Sequence, residues 1–397
     1  MNPTNPTQTS FQPPKAVLAV NGVFHLFELA HELERRGMLE AIYSSFHWGR
    51  LKREGLDHKY VRTFPWIHPV QMGLPRLMRV PGFLDRQFSR IVPTTLDQYV
   101  ARTLPECDVL VALSGSGLAS GKAAQRRGIK YVCDRGSSHI RYQDQIVAEE
   151  YRIWGQQQEV VTPYILAREE AEYAQADAIT VLSKFALRSF IEMGVPKEKL
   201  HRIPCGVRLD RFERVAEPDK NAFEVLFAGT ASLRKGVPYL LQAFAALKHP
   251  RKRLRIIGPL LSEVQALLPR FDMSNIEILG RIPQAEMAKY MSTSHAMVLP
   301  SIEDGFGMVM GQAMACGCPV IASTNTGGED LFTHGVEGFI VPIRSPEAIT
   351  ERLQQLADDH DLQLRMSEAA LARVKHLGGW AQYGDQWAAL IQQLASS

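Results

Sequence analysis

The sequence is short of several things that would place it in a class at once. Cysteine is scarce: Cys107, Cys133, Cys205, Cys316 and Cys318 are an odd number, scattered apart from one close pair whose spacing suits neither a zinc ribbon nor a redox motif. That excludes a disulfide scaffold and points to reduced thiols in a cytosolic protein. No run reaches the roughly 18 apolar residues of a membrane-spanning helix. Charge of one sign is also lacking. The net charge is +3, and no compact Lys/Arg run is interleaved with aromatics, which argues against nucleic acid as a partner. There is no Asp-x-Asp metal motif. Asp358-Asp359-His360-Asp361 imitates one but reads as a solvated helix connection, so neither a metal nor another cofactor is expected. The opening MNPTNPTQTSFQPPK has no charged start before an apolar core, so residues 1–14 read as a disordered tail and not as a signal peptide.

What is present is ample material for two cores: 397 residues, 45% hydrophobic and 22% charged. The second half alternates regularly. Val225–Ala228, Leu254–Ile257, Ile276–Leu279 and Ala296–Leu299 read as strands, with helices predicted over Val237–Ala246, Leu261–Leu268 and Gln284–Ser292. The first half opens on Ala16–Val20, an apolar strand entering Asn21-Gly22, followed by an amphipathic run from Val23 to Arg36. Val109–Leu113, Lys130–Cys133 and Ile179–Leu182 supply further strands. Strands alternating with helices mean an α/β protein with two doubly wound, Rossmann-like parallel sheets. The charged stretch 211–221, which has a proline and neither period, reads as the linker. The expected organisation is a first domain over 15–213, a second over 214–376, and a C-terminal helix over 377–397, with the site in a cleft between the domains.

The most informative stretch is Met297 to Leu331. A strand stops at Pro300-Ser301; Glu303-Asp304-Gly305-Phe306-Gly307 follows, and then a helical run from Met308 to Cys316. Strand, acidic Gly-rich loop and helix put backbone N–H groups where a phosphate can sit, and carboxylates where sugar hydroxyls can be reached. Gln312 lies two helical turns beyond Asp304, on the same face. Earlier, Gly229-Thr230-Ala231-Ser232-Leu233-Arg234-Lys235-Gly236 brings two cations to the start of a helix, which suits a diphosphate.

These stretches resemble retaining glycosyltransferases of family 4, which have the GT-B fold. The resemblance implies two domains facing across a cleft, a nucleotide-sugar donor, and no metal. In that family both acidic positions of the signature are usually glutamate, where this chain has Asp304 and Gln312. Carried over, Asp304 meets the transferred sugar and Gln312 the ribose; Glu303 offers a longer carboxylate for the same acidic role, although Asp304 directly abuts the glycine. In the phosphate loop Gly229 and Lys235 match, and Thr230 stands where the family has arginine, with Arg234 as the substitute. The Gly280–Pro283 turn implies a base contact through Ile282. Gly305, Phe306 and Gly307 continue the donor loop. Asn21 and Gly22 would face the diphosphate through backbone N–H groups. His139 corresponds to the family's cleft histidine, or else is a surface residue. Glu329 stands closer to its glycine pair than the family's acidic residue does.

The implied reaction moves a sugar to a hydroxyl acceptor with retention, in polysaccharide or glycolipid synthesis, and Asp304, His139 and Lys235 are its catalytic candidates. The basic and apolar stretch 51–90 allows a peripheral contact with the inner face of a membrane and a lipid-linked acceptor; the alternative is a helical insertion on the first domain. Otherwise the protein is expected to be cytoplasmic. Two other functions compete. Gly115-Ser116-Gly117-Leu118-Ala119-Ser120-Gly121, followed by Asp134, imitates the dinucleotide fingerprint of an NAD-dependent oxidoreductase, although its glycine spacing is one residue too long. The departures at Thr230, Asp304 and Gln312 also suit a non-catalytic nucleotide-sugar binder.

Overall fold

The computed structural model describes residues 13–68, 82–157, 161–207 and 211–397. The tail before residue 13 and the core of the basic, apolar stretch, residues 69–81, lie outside them. In chain order the strands are β1 (Ala16–Val20), β2 (Leu39–Ser44), β3 (Val61–Thr63), β4 (Val109–Leu113), β5 (Lys130–Arg135), β6 (Ala178–Val181), β7 (Leu200–Arg202), β8 (Phe223–Ala228), β9 (Lys252–Ile257), β10 (Ile276–Gly280), β11 (Ala296–Leu299), β12 (Val320–Ser323) and β13 (Gly338–Val341). They form a seven-stranded sheet ordered β3-β2-β1-β4-β5-β6-β7 and a six-stranded sheet ordered β10-β9-β8-β11-β12-β13.

β1 pairs in parallel with both β2 and β4, and β8 with both β9 and β11. Each sheet therefore grows outward on one side of its first strand and then resumes on the other, which creates a switch point where two neighbouring strands send their chains to opposite faces. The central strands are apolar throughout because both faces are covered: β1, β8, β11 and β12 are buried at every position. The edge strand β10 is only half-buried.

The principal helices are α1 (Leu26–Arg35), α2 (Gly82–Thr103), α3 (Leu118–Arg126), α4 (Ile140–Ile153), α5 (Pro163–Gln175), α6 (Lys184–Glu192), α7 (Val237–Ala246), α8 (Gln284–Ser292), α9 (Val309–Ala315), α10 (Pro346–Asp358), α11 (His360–Val374) and α12 (Gly379–Ala395). Local chemistry sets their starts. Ser183 accepts from the Ala186 N–H to cap α6. Gly236 opens α7 in the left-handed region, at φ 68°, where a Cβ would collide with the Pro300 carbonyl. The helix expected over Leu261–Leu268 is instead one α-turn, Ser262–Gln265, and a 3-10 turn, Leu268–Arg270. Pro269 explains the break, since it has no N–H to give the Gln265 carbonyl four residues back and its ring crowds that carbonyl.

The chain divides into two compact units. Met1–Cys133, Gln175–Asp177 and Gly384–Ser397 make one, and Asp134–Ala174 with Ala178–Tyr383 make the other. In the first, Arg36 near α1 holds Asp385 of α12 at 2.6 Å. The second contains the stretch 211–221 expected as a linker, where Arg214 bonds Ser367 and Glu368 on α11. Arg214 is half-buried and anchors the segment there, while Arg211, Glu213, Glu217, Asp219 and Lys220 face water.

Candidate active site

The loops that leave β8 and β11 lie side by side at the switch point of the six-stranded sheet, and the charges singled out from the sequence meet there. Backbone bonds align them: the Ile302 N–H donates to the Arg234 carbonyl at 2.9 Å, and the Asp304 N–H to the Asn325 carbonyl at 3.0 Å. Lys235 Nζ donates to Asp304 Oδ2. Arg234 Nη1 donates to Glu303 Oε2 at 2.8 Å.

The two carboxylates are not equivalent. Glu303 is fully buried and surrounded by donors: Ser138 N–H and Oγ at 3.1 and 2.9 Å on one oxygen, Gln143 and Arg234 at 3.0 and 2.8 Å on the other. Gln143 in turn accepts from Arg135, which also binds Glu169 at 2.6 Å. The result is a closed polar network in which each member has a partner. Asp304 keeps 15% of its side chain exposed and Lys235 14%. Burial works against the charged form of Asp304, but Lys235 first, then Arg234 and the Phe306 N–H, outweigh it and hold the carboxyl below its usual value. Of the two acids, Asp304 is the one that a ligand can reach.

Glycines let these loops close. A Cβ at Gly305 would strike the Gly136 carbonyl, so the donor loop rests directly on the loop after β5. Gly307 sits at φ 79°, against Leu299 and Met310. Phe306 is buried, and its carbonyl accepts from Gly327 at 2.8 Å. Gly229 is exposed at the end of β8, Gln312 is half-buried on α9, and Ile282 is half-buried just past β10.

His139 is neither a surface residue nor a partner of the Lys235–Asp304 pair. It is 4% exposed, with its ring against Tyr173 and Phe190 at centroid distances of 5.0 Å. Its Nδ1 accepts from the Arg141 N–H at 3.2 Å and caps α4, which leaves the ring proton on Nε2. Burial pushes its pKa down to about 4, so the imidazole is neutral at physiological pH. Glu329 is taken up by Arg188 at 2.5 Å.

Asn21 and Gly22 lie at the other switch point, that of the seven-stranded sheet. Asn21 Nδ2 donates to Ser116 Oγ at 2.6 Å. The Gly22 N–H, expected to face a diphosphate, donates to Ser45 Oγ at 2.9 Å. The dinucleotide imitation nearby has a packing explanation. A Cβ at Gly117 or Gly121 would run into the Tyr131 ring. The N–H groups of Ala119 and Ser120, at the start of α3, donate to the buried Asp97, each at 2.8 Å. Asp134 is fully buried and accepts from Thr180 at 2.7 Å. A pyrophosphate would find the helix start occupied, and a ribose would find no accessible acid, so the oxidoreductase reading fails.

Ser138, Gln143 and Asn325 were not anticipated. Ser138 precedes His139, and Asn325 lies two residues before the Gly327-Gly328 pair, but no local pattern marks either side chain. Among the described residues no cluster of three metal-ligating side chains occurs, and no helix is long and apolar enough to cross a membrane.

Comparison with known proteins bears on the family and the fold. A family model for glycosyltransferase family 4 matches residues 22–211, and one for glycosyl transferases group 1 matches residues 210–373. An uncharacterised glycosyltransferase of Methanocaldococcus jannaschii is 30% identical over 143 residues, covering 36% of this chain and 40% of that protein. A Corynebacterium glutamicum protein described as a GDP-mannose-dependent monoacylated alpha-(1-6)-phosphatidylinositol monomannoside mannosyltransferase is 26% identical over 241 residues, covering 55% of this chain and 62% of its own length. The chain thus spans about half the length of the curated relatives it matches. Among solved structures, sucrose-phosphate synthase of Thermosynechococcus elongatus superposes with a TM-score of 0.72 at 20% identity, over 97% of this chain and all of that one. Anabaena HepE, solved with UDP and glucose, gives 0.69 at 17% identity, over 96% of this chain and all of its own. With two adjoining family matches across residues 22–373 and a shared two-sheet architecture, the chain belongs to the group 1 glycosyltransferases of family 4 and has the GT-B fold.

Proposed function

We propose that the protein transfers a sugar from a nucleotide-diphosphate sugar to a hydroxyl acceptor with retention of anomeric configuration, in polysaccharide or glycolipid synthesis. The observation that carries this reading is the Lys235–Asp304 pair at the ends of β8 and β11. It sets a cation for a departing diphosphate beside an acid for the sugar that is being transferred. Lys235, held in place by Asp304, is ready for the phosphate before the donor arrives, which keeps the reorganisation on binding small. The bond from the anomeric carbon to the phosphate oxygen breaks as that carbon bonds to the incoming hydroxyl on the same face. The hydroxyl proton passes to the departing phosphate, so no separate base is required.

In this scheme the Gly229 loop approaches the diphosphate, Gln312 bonds the ribose, and Ile282 packs on the base. His139 serves as a neutral hydrogen-bond donor through Nε2. Glu303 holds its surroundings together and does not meet the sugar. The Corynebacterium relative's name specifies GDP-mannose and the Anabaena structure holds UDP, so both bases belong in a donor screen. The acceptor is a sugar or a lipid-linked acceptor, and the site of action is the cytoplasm or the inner membrane face.

The test is a panel of radiolabelled UDP-, GDP- and ADP-sugars. One of them should be turned over by the wild type and slowed about tenfold or more in Asp304→Asn, with the melting temperature nearly unchanged. NMR of the product anomeric proton should show the donor's configuration. An inverted product would end the same-face scheme. Saturable binding with no nucleotide released would make the protein a binder only.

A further inference from the structure

Beside the loop that carries Arg234 lies a cavity of about 800 Å3, within the range of about 300–1,000 Å3 usual for small-molecule sites. One wall is α4 with the turn that follows it; the facing wall is Leu261–Glu263 after β9. Tyr151 of α4 donates to Glu263 at 3.1 Å and ties the two walls together. Among the described residues that line it, Arg234 is the cation, and Glu303 already pairs with that guanidinium at 2.8 Å. The carboxylates Asp144 and Glu263 stand on the walls. A phosphate would meet more negative charge here than positive, and a lipid chain would meet mostly polar side chains.

Asp144 shows what is wanted. Its Oδ1 is buried with no hydrogen-bond partner, while the Val161 N–H bonds the same carboxyl group. Burial raises the pKa of the group, and Val161 and Arg141 offset this only in part. A buried acceptor without a donor calls for one. Gln156 and Ser262 add groups that both donate and accept, and Val147 and Leu261 add small apolar patches. Vicinal hydroxyls with a C–H face beneath them satisfy this arrangement; a nucleotide or a fatty chain does not.

We propose that this cavity binds a neutral, hydroxyl-rich saccharide unit of the acceptor, with Asp144 accepting from its hydroxyls and Glu263, Gln156 and Ser262 completing the contacts. The inference rests on the transferase reading above. Arg234 belongs both to this wall and to the loop that carries Lys235, so a saccharide held here lies next to the proposed donor loop.

The experiment is saturation-transfer NMR on the full chain with methyl glucosides, galactosides, mannosides and N-acetylglucosaminides, in the presence of UDP or GDP. At least one glycoside should give a signal with the wild type, and its affinity should fall about tenfold in Asp144→Asn and in Gln156→Ala, while the nucleotide signal persists in both. Asp144→Asn keeps an oxygen for Val161, and Gln156→Ala leaves Asp144 untouched, so a folding defect in one does not disable the other. Nucleotide signals with no glycoside signal, wild-type glycoside affinity in both variants, or displacement of the glycoside by millimolar inorganic phosphate would overturn the inference alone. No nucleotide signal with the wild type would bring down the transferase reading and this inference with it.

Discussion

At the switch point of the seven-stranded sheet, Asn21 is bonded to Ser116, the Gly22 N–H to Ser45, and the start of α3 to Asp97, a carboxylate with no exposed surface. At that of the six-stranded sheet, Asp304 is held by Lys235, and both side chains keep about a seventh of their surface open to solvent. Both places are built by the same topology. One is closed from within by neutral groups and a buried acid, and the other presents an ion pair that a charged ligand can join. Strand order supplies the hollow, and the side chains decide whether anything is meant to enter it.

The buried carboxylates should show the largest effects. Glu303→Ala removes the acceptor shared by Ser138, Gln143 and Arg234, and it should cost about 2–4 kcal/mol of stability, because the Ser138 and Gln143 donors are left without a partner while Arg234 keeps access to water. Asp97→Ala should be similarly costly in the other sheet, because three donors lose one acceptor. Urea midpoints measure both. If Glu303→Ala unfolds like the wild type, the network around it holds nothing. If Asp97→Ala weakens nucleotide binding without unfolding the protein, the two switch points are not as different as their geometry says.

Lys235→Ala comes next. In the proposed scheme it removes a charge-assisted contact worth about 1.5–3 kcal/mol to the departing diphosphate, so kcat/KM for the donor should fall on the order of tenfold to a hundredfold. It also leaves Asp304 with less to hold its proton off, so the melting temperature should fall less in Lys235→Ala combined with Asp304→Asn than the two single losses add up to. Unchanged donor kinetics in Lys235→Ala would empty the second switch point of its role.

Much of this contrast was legible in the residues. Val225–Ala228 and Ala296–Leu299 are continuous apolar runs because parallel strands are covered on both faces, and the glycines after them mark loops that must turn sharply. That is enough to bring Lys235 and Asp304 to the same end of one sheet. The tasks of the two acids were not legible. Glu303 is held by Ser138 and Gln143, which lie 165 and 160 residues away in the chain, and no local pattern carries such a pairing. The glycines at 117 and 121 imitated a phosphate loop because close helix-to-strand packing and close phosphate approach both require a missing Cβ; Tyr131 on the neighbouring strand decides between them. Burial decided His139 in the same way, since a histidine after a strand looks the same in sequence whether its ring faces water or Phe190.

A pH profile separates the acids from the buried imidazoles. Burial pushes both His139 and His295 down to about 4 from an ordinary value of 6.5. Between these values the unfolded chain binds more protons than the folded one, so the stability due to keeping the rings neutral is complete above about 6.5 and is lost as the pH falls toward 4. At pH 5 the loss should be about 1–2 kcal/mol for each ring, read as a lower urea midpoint than at pH 7. Asp304, held below its usual value, remains charged throughout this window. Nucleotide affinity should therefore stay nearly level while stability declines, and a parallel decline in both would tie ligand binding to His139.

The smallest expected effect is the most direct probe of the contrast. Asn21→Ala removes the bond to Ser116 but also removes Oδ1, which is buried without a partner, so the two changes oppose each other and the net cost should stay below about 1 kcal/mol. Nucleotide-sugar affinity should stay within about twofold of the wild type, because no charge is lost and the neighbouring Gly22 N–H is already committed to Ser45. Isothermal titration with the donor found in the screen measures this directly against Lys235→Ala. A tenfold loss in Asn21→Ala would mean that this switch point opens to take hold of the diphosphate, and its neutral, inward-bonded groups would then be the resting arrangement of a second phosphate grip.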